Sequence, residues 1–128
     1  MISPTALAIV AVGGAIGAAL RYATTAAALR WLGPAFPYGT LAVNVVGSLL
    51  MGVIVAALVE RAPASPKLAL FVTTGFCGGF TTFSAFSLDT LYLIERGEAG
   101  KVALYMGGSV ALSILALGLG IAAGRALA

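Results

Sequence analysis

The chain has 128 residues, of which 61% are hydrophobic and 9% are charged, and its net charge is +3. A soluble domain carries roughly 25% charged residues, so this composition excludes a soluble globular fold, whose surface could not be covered. The sequence has no histidine and a single cysteine, Cys77, which excludes an intramolecular disulfide and argues against a Cys/His metal cluster. The basic residues form no cluster, so no nucleic-acid binding is expected.

Four apolar segments are long enough to cross a membrane, since a span needs about 20 mainly apolar residues. In chain order, the predicted spans cover residues 4–29, 39–59, 68–94 and 102–123. The first is expected to be a retained helix rather than a signal peptide, because residues 1–5 carry no charged side chain. We therefore predict an all-α membrane protein, a single integral-membrane domain over residues 1–128. Its expected location is the cell inner (plasma) membrane, as a multi-pass protein with both termini on one side.

The segments between and within these spans carry further signals. Prolines, Trp31 and Tyr38 in the first loop suit the membrane interface, and residues 60–67 are predicted to be a charged turn with two prolines. Glycine pairs spaced four residues apart predict close packing of helices in lipid. These pairs are Gly13 and Gly17, Gly75 and Gly79, and Gly120 and Gly124.

The third span contains an irregular segment, residues 75–87, with the sequence GFCGGFTTFSAFS. Irregular polar backbone at membrane depth is costly unless it is buried in protein or lines an aqueous path. We therefore predict that the third helix is interrupted at Gly78 and Gly79. The break, from Gly78 to Thr82, offers backbone carbonyls of the kind that coordinate Na⁺ in discontinuous membrane helices.

Polar side chains form stripes at helical spacing along two spans. They are Thr40, Asn44 and Ser48 on the second span, and Tyr105, Ser109 and Ser113 on the fourth. Such residues mark functional sites by default, although each stripe alone is also typical of helix–helix hydrogen bonding. Nearly all of them donate hydrogen bonds, whereas a cation path would favour carboxylates or carbonyl rings. With Arg21 positive and Asp89 the one carboxylate within a span, the set favours an anion.

Phe83 and Phe86 follow the irregular segment and are three residues apart, so about 60° separates them around a helix. Such a pair usually contacts lipid or packs against other helices. The other interpretation uses the positive edge of an aromatic ring, which can contact a small, partly dehydrated anion.

The basic residues of the loops do not favour either orientation in the membrane. Cytoplasmic loops normally collect Lys and Arg. Here one side has Arg61, Lys67 and Arg125, and the other has Arg30, Arg96 and Lys101. The simplest interpretation is insertion in both orientations, which permits an antiparallel dimer of identical subunits; the alternative is that one residue fixes the topology. Because four short helices enclose little volume, a pore is expected to need the second subunit.

Three sequence elements and the polar stripe of the fourth span resemble the Fluc (CrcB) family of fluoride channels. The elements are residues 13–22 (GGAIGAALRY), 39–47 (GTLAVNVVG) and the segment 75–87. Their order and spacing agree over essentially the whole chain. The resemblance implies an antiparallel, dual-topology homodimer with two pores that lets fluoride leave the cytoplasm passively.

The resemblance also implies roles for individual residues. Backbone carbonyls of Gly78 and Thr81 would hold a structural Na⁺ at the dimer centre, and Arg21 would lie near the vestibule. The pore residues would be Asn44, Phe83, Phe86, Thr40, Tyr105, Ser109, Ser113 and Asp89. The chain departs from the commonest family pattern at three positions, Phe80, Ala85 and Asp89.

Two other classes of protein remain open from the residues alone. A dual-topology small multidrug exporter would need a carboxylate deep in the first span, and none precedes Arg21. A non-transporting subunit of a larger complex would explain the glycine pairs, but it would not explain the broken helix or the polar stripes. A membrane enzyme is not expected, since there is no histidine, catalytic cysteine pairing or carboxylate dyad.

Overall fold

A computed structural model describes residues 1–61 and 65–127, and in this part of the chain the regular structure is helical. The helices are α1 (Pro4–Leu32), α2 (Tyr38–Arg61), α3 (residues 66–80), α4 (Phe83–Glu95) and α5 (Ala99–Leu127). Within the described residues, four stretches are long and apolar enough to span a membrane; α3 and α4 together form the third. The predicted all-α architecture with four spans is therefore confirmed. Part of the predicted turn at 60–67, residues 62–64, lies outside the described residues.

The first and third spans touch through their backbones. A methyl group added at Gly13 would lie 3.0 Å from the Gly75 Cα, and one added at Gly79 would lie 3.0 Å from the Gly14 Cα. Residues Phe71–Cys77 of α3 form a π-helical stretch that contains Gly75. The glycines of α3 thus let two helices approach closely, as their spacing predicts.

The second and last spans, α2 and α5, cross in the same way. A methyl group at Gly52 would lie 2.8 Å from the Ile121 nitrogen, and one at Gly120 would lie 3.0 Å from the Val53 nitrogen. One turn further along, a methyl group at Gly124 would lie 2.8 Å from the Ala56 Cβ. Two glycine-mediated crossings, α1 with α3 and α2 with α5, therefore pack the four spans in two pairs.

The interruption of the third span does not lie at Gly78 and Gly79, where it was predicted. Both glycines are helical, and the backbone becomes extended at Thr81 (φ −82°, ψ 156°) and Thr82 (φ −151°, ψ 119°). The prediction was wrong for these two residues because it took the glycines as helix breakers, whereas Gly79 serves close packing against α1. The wider predicted break, from Gly78 to Thr82, does contain the two extended residues. By length, α3 spans about 22 Å and α4 about 20 Å, each less than the roughly 30 Å hydrocarbon core. The break therefore lies within the membrane.

The crossing of α2 and α5 can be tested with two alanine substitutions on the same helix. Gly120→Ala places a methyl group against the α2 backbone, and overpacking of this kind costs about 1–3 kcal/mol. Gly118→Ala is the matched control, since a methyl group there meets nothing within 4 Å. Denaturant unfolding of the detergent-solubilised protein should show a lower free energy of unfolding for Gly120→Ala alone. Equal effects of the two substitutions would contradict this packing.

Candidate functional site

One open groove of about 360 Å³ runs between α2, the break, α4 and α5. It brings together five of the predicted pore residues, Asn44, Phe83, Phe86, Ser109 and Ser113. The rest of its wall consists of Ser48, Thr81, Thr82, Val110 and Ile114. Two residues of each polar stripe and the pair of phenylalanines, far apart in sequence, thus line a single surface.

The Asn44 side chain holds the broken backbone. Its Nδ2 donates to the Thr82 carbonyl (3.0 Å), and its Oδ1 accepts from the Thr82 N–H (2.7 Å). An unpaired backbone group in the membrane costs several kcal/mol, and one amide side chain satisfies both groups of Thr82. Asn44 is therefore a structural support of the break as well as part of the groove wall, and one N–H of its amide is left over.

The Arg21 side chain holds the end of α3. Its Nε donates to the Gly79 carbonyl at 3.0 Å, in a part-buried position on α1. A positive charge at the C-terminus of a helix is favourable because carbonyl dipoles point there. The structure thus gives Arg21 a partner that the sequence did not predict; its predicted place near a vestibule stays a prediction.

Two carbonyls of the break have lost their ordinary helical donors. The Thr82 N–H would bond to the Gly78 carbonyl in a continuous helix, but it donates to Asn44. The Ala85 N–H would bond to the Thr81 carbonyl, but it donates to the Thr82 hydroxyl at 3.1 Å, which caps α4. The carbonyls of Gly78 and Thr81 are therefore free of these donors and suited to a hard cation such as Na⁺.

Ser109 stands out among the hydroxyls of the groove. It is 6% exposed, and its Oγ has no hydrogen-bond partner among the described residues. By contrast, the Ser48 hydroxyl donates to the Asn44 carbonyl at 2.7 Å, within its own helix. A buried hydroxyl without a partner is costly, so the Ser109 side chain is ready to bind a ligand in the groove.

Three of the predicted pore residues lie at one end of the groove. Tyr105 is fully buried, and its hydroxyl donates to Asp89 Oδ2 at 2.9 Å. Thr40, which is also buried, and Asp89 line a second cavity of about 190 Å³. The shorter Asp side chain, a departure from the family pattern, thus still reaches Tyr105.

The aromatic side chains form a connected series beside the groove. Phe83 and Phe86 have ring centroids 5.5 Å apart, and Phe86 lies 5.2 Å from Tyr105. Phe36, from the loop between α1 and α2, meets the Tyr105 ring edge-on at 5.5 Å and 87°. Phe36 was not predicted as a site residue; the signal for it in the sequence is an aromatic residue between two prolines, just before a polar stripe.

Two other departures from the family pattern also have structural explanations. Phe80 is buried and its ring stacks on Phe76 with centroids 5.8 Å apart. Ala85 has no hydroxyl, but its N–H still donates to the Thr82 side chain. The cap of α4 therefore does not depend on a hydroxyl at position 85.

The fold and the groove define a multi-pass membrane protein with an open groove, lined by hydroxyl, amide and phenylalanine side chains, beside a broken helix. Residues 8–121 match the family model described as "CrcB-like protein, Camphor Resistance (CrcB)". The chain belongs to this family, which confirms the resemblance inferred from its motifs.

Curated relatives cover nearly the whole chain, and those compared here carry the name "Fluoride-specific ion channel FluC". One from Rhizobium etli is 56% identical over 120 residues, which is 94% of this chain and 96% of the relative. One from Cereibacter sphaeroides is 55% identical over 116 residues, or 91% of each chain. One from Agrobacterium fabrum is 50% identical over 121 residues, or 94% and 97% of the two chains.

The support that Asn44 gives to the break leads to a prediction about stability. Asn44→Leu leaves both backbone groups of Thr82 without this partner, and each buried unpaired group costs about 1–3 kcal/mol. Ser48→Ala is the control, because its hydroxyl bonds only to a carbonyl of its own helix. Unfolding of the purified protein should show a large loss of stability for Asn44→Leu and little change for Ser48→Ala. If Asn44→Leu is as stable as the control, the amide does not hold the break.

Proposed function

We propose that this protein is a fluoride-selective channel that lets cytoplasmic fluoride leave passively. The observation that carries the proposal is the unpartnered, buried Ser109 hydroxyl in a groove lined by other donors and by phenylalanine rings. The names of its relatives point to the same ion. Because those relatives are named as channels, the expectation that the chain is not an enzyme is confirmed.

The groove has the chemistry that a small, strongly hydrated anion needs. Conduction requires binding strong enough to replace part of the water shell and weak enough to release the ion. Neutral donors such as the Ser109 hydroxyl and the remaining Asn44 N–H meet this need without a fixed positive charge in the groove. Phe83 and Phe86 add ring edges, which are positive, and they restrict the width of the path.

A second copy of the chain would complete the pore. The groove is open along one side, and Phe83, at its edge, is 79% exposed in the single chain. Loop Lys and Arg residues number three on each side, which suits a dual-topology protein. Each end of the helix bundle has one of these basic residues in a polar contact. Arg125 pairs with Glu60 at one end (3.1 Å), and Lys101 donates to the Ala35 carbonyl at the other. We therefore propose an antiparallel homodimer with two pores.

A structural Na⁺ at the centre of this dimer is part of the proposal. The residues fit the ion, since the carbonyls of Gly78 and Thr81 have lost their helical donors to Asn44 and Thr82. Two carbonyl oxygens are too few to enclose a cation, and a second copy would double the number. When bound, the ion would supply a positive charge that joins the two broken helices. The multidrug-exporter alternative gains no support, because α1 carries no carboxylate before Arg21.

Fluoride efflux from liposomes tests the proposed function. Vesicles loaded with fluoride and containing the protein should lose it much faster than protein-free vesicles, while chloride is retained. Phe83→Ile and Phe86→Ile remove the ring edges and should lower the flux by about twofold to tenfold, since an aromatic contact is worth about 0.5–1.5 kcal/mol. Loss of fluoride no faster than from protein-free vesicles would contradict the proposed function. Unchanged rates in both variants would contradict the role of the rings.

The proposed ion makes dimer stability dependent on Na⁺. A ligand that binds only the dimer stabilises it by about 1.4 kcal/mol for each tenfold rise in concentration above the Kd. Subunit dissociation should therefore become easier when N-methyl-D-glucamine replaces Na⁺ at constant ionic strength. A dimer equally stable in both solutions would argue against the ion, and a monomer in both would argue against the dimer.

A further inference from the structure

The cavity of about 190 Å³ lies beneath the loop that joins α1 to α2, residues 33–37. Phe36 and the two loop prolines form its roof, and Thr40, Asp89 and Thr25 form part of its wall. The groove does not include any of these residues. The cavity therefore has a lining of its own, which combines threonine side chains, a carboxylate and aromatic side chains.

Helix geometry places this cavity next to the groove, one turn nearer the membrane face where α1 ends. On each of three helices, a groove residue has a residue at or beside the cavity one turn away, on the side of that membrane face. The pairs are Asn44 and Thr40 on α2, Phe86 and Asp89 on α4, and Ser109 and Tyr105 on α5. All three steps run in the same direction, so the cavity continues the line of the groove.

The loop over the cavity is fixed to α5. Lys101 Nζ donates to the Ala35 carbonyl at 3.0 Å and pairs with Glu98 at 2.8 Å. The Tyr38 N–H donates to the Phe36 carbonyl at 2.8 Å. Lys101 and Tyr105 are four residues apart and share one face of α5. The face of α5 that bonds to the loop through Lys101 is therefore also the face on which Tyr105 contacts Phe36 of the loop.

The rings of Phe36 and Phe86 both contact the Tyr105 ring. Phe36 meets it edge-on at 5.5 Å, and Phe86 lies 5.2 Å away. Between them the Tyr105 hydroxyl is aimed at Asp89 Oδ2, 2.9 Å away. Removal of the Phe36 ring would take away one of the two aromatic contacts that pack the Tyr105 ring in this position.

We propose that the cavity under the α1–α2 loop is the terminal chamber of the ion path, and that Phe36 is the positioning residue that holds Tyr105 at its entrance. This inference rests on the proposed function. An anion leaving the groove passes Tyr105 into the chamber and reaches water around the loop. Lys101, at the edge of the loop, and Arg96, which shares a smaller cavity with Asp89, add positive charge at this end.

A thiol placed in the chamber tests whether the path runs through it. In a Cys77→Ala background, Ala28→Cys puts the thiol in the cavity wall, and Ala27→Cys puts one on the exposed side of α1. A small methanethiosulfonate reagent should label Ala28→Cys and lower its fluoride efflux by about tenfold or more, the size expected when about 1.4 kcal/mol is added to a barrier. The same treatment should leave the efflux of Ala27→Cys unchanged.

The thiol experiment separates this inference from the proposed function. A parent protein that conducts no fluoride would overturn the proposed function itself. In a conducting parent, an Ala28→Cys thiol that stays unlabelled, or that is labelled without loss of efflux, would overturn the chamber. Mass measurement of the labelled protein reports on access by water-soluble reagents independently of any flux.

Substitutions at Phe36 test the positioning role. Phe36→Met keeps similar volume without the ring and should lower fluoride efflux by up to about tenfold, whereas Phe36→Tyr keeps the ring and should retain most of it. Phe71→Met is the matched control, since Phe71 lies in α3 and lines neither the groove nor the chamber. All three variants should unfold at similar denaturant concentrations. Unchanged efflux in Phe36→Met, or equal losses in the Met and Tyr variants, would overturn the role.

Discussion

The two hydrogen bonds between Asn44 and the backbone of Thr82 allow a polypeptide chain to leave the helical conformation inside a membrane. Water is absent there, so every exposed N–H and C=O needs a partner in the protein. A single amide side chain supplies a donor and an acceptor to the same residue. The groove, the cap of α4 and the free carbonyls all depend on this arrangement.

Two diverted N–H donors, those of Thr82 and Ala85, determine which carbonyls are left for other partners. Once the Thr82 N–H is bonded to Asn44, the Gly78 carbonyl loses its helical partner. Once the Thr82 hydroxyl caps α4, the Thr81 carbonyl loses its own. Arg21 takes the Gly79 carbonyl that lies between them. In the break, the Gly79 carbonyl is therefore used for a structural hydrogen bond, whereas the Gly78 and Thr81 carbonyls are suited to a cation.

The glycine crossings make these long-range bonds possible. The Arg21 side chain reaches the end of α3 because Gly17 and Gly79 let the two backbones approach, and a methyl group at Gly17 would lie 2.8 Å from the Phe80 nitrogen. In lipid, helices associate through close packing rather than through the hydrophobic effect. Glycines, which are poor helix formers, thus position the polar groups by letting the helices pack closely.

The sequence alone determined the four spans, the polar stripes and the family, because these depend on hydropathy, on helical periodicity and on motifs that are contiguous in the chain. It placed the start of the break too early, at Gly78 instead of Thr81, since a glycine that breaks a helix and a glycine that packs against another helix look the same in one dimension. Gly79 turned out to be of the second kind.

Only the tertiary structure decided which partners the polar groups have. Asn44 is hydrogen-bonded to Thr82, Arg21 to Gly79 and Tyr105 to Asp89. Phe36, from a loop, packs against the Tyr105 ring. Each of these contacts joins residues from different helices or from a loop and a helix. Their formation depends on how the spans cross, which is set by packing between surfaces and not by the order of residues within any one segment.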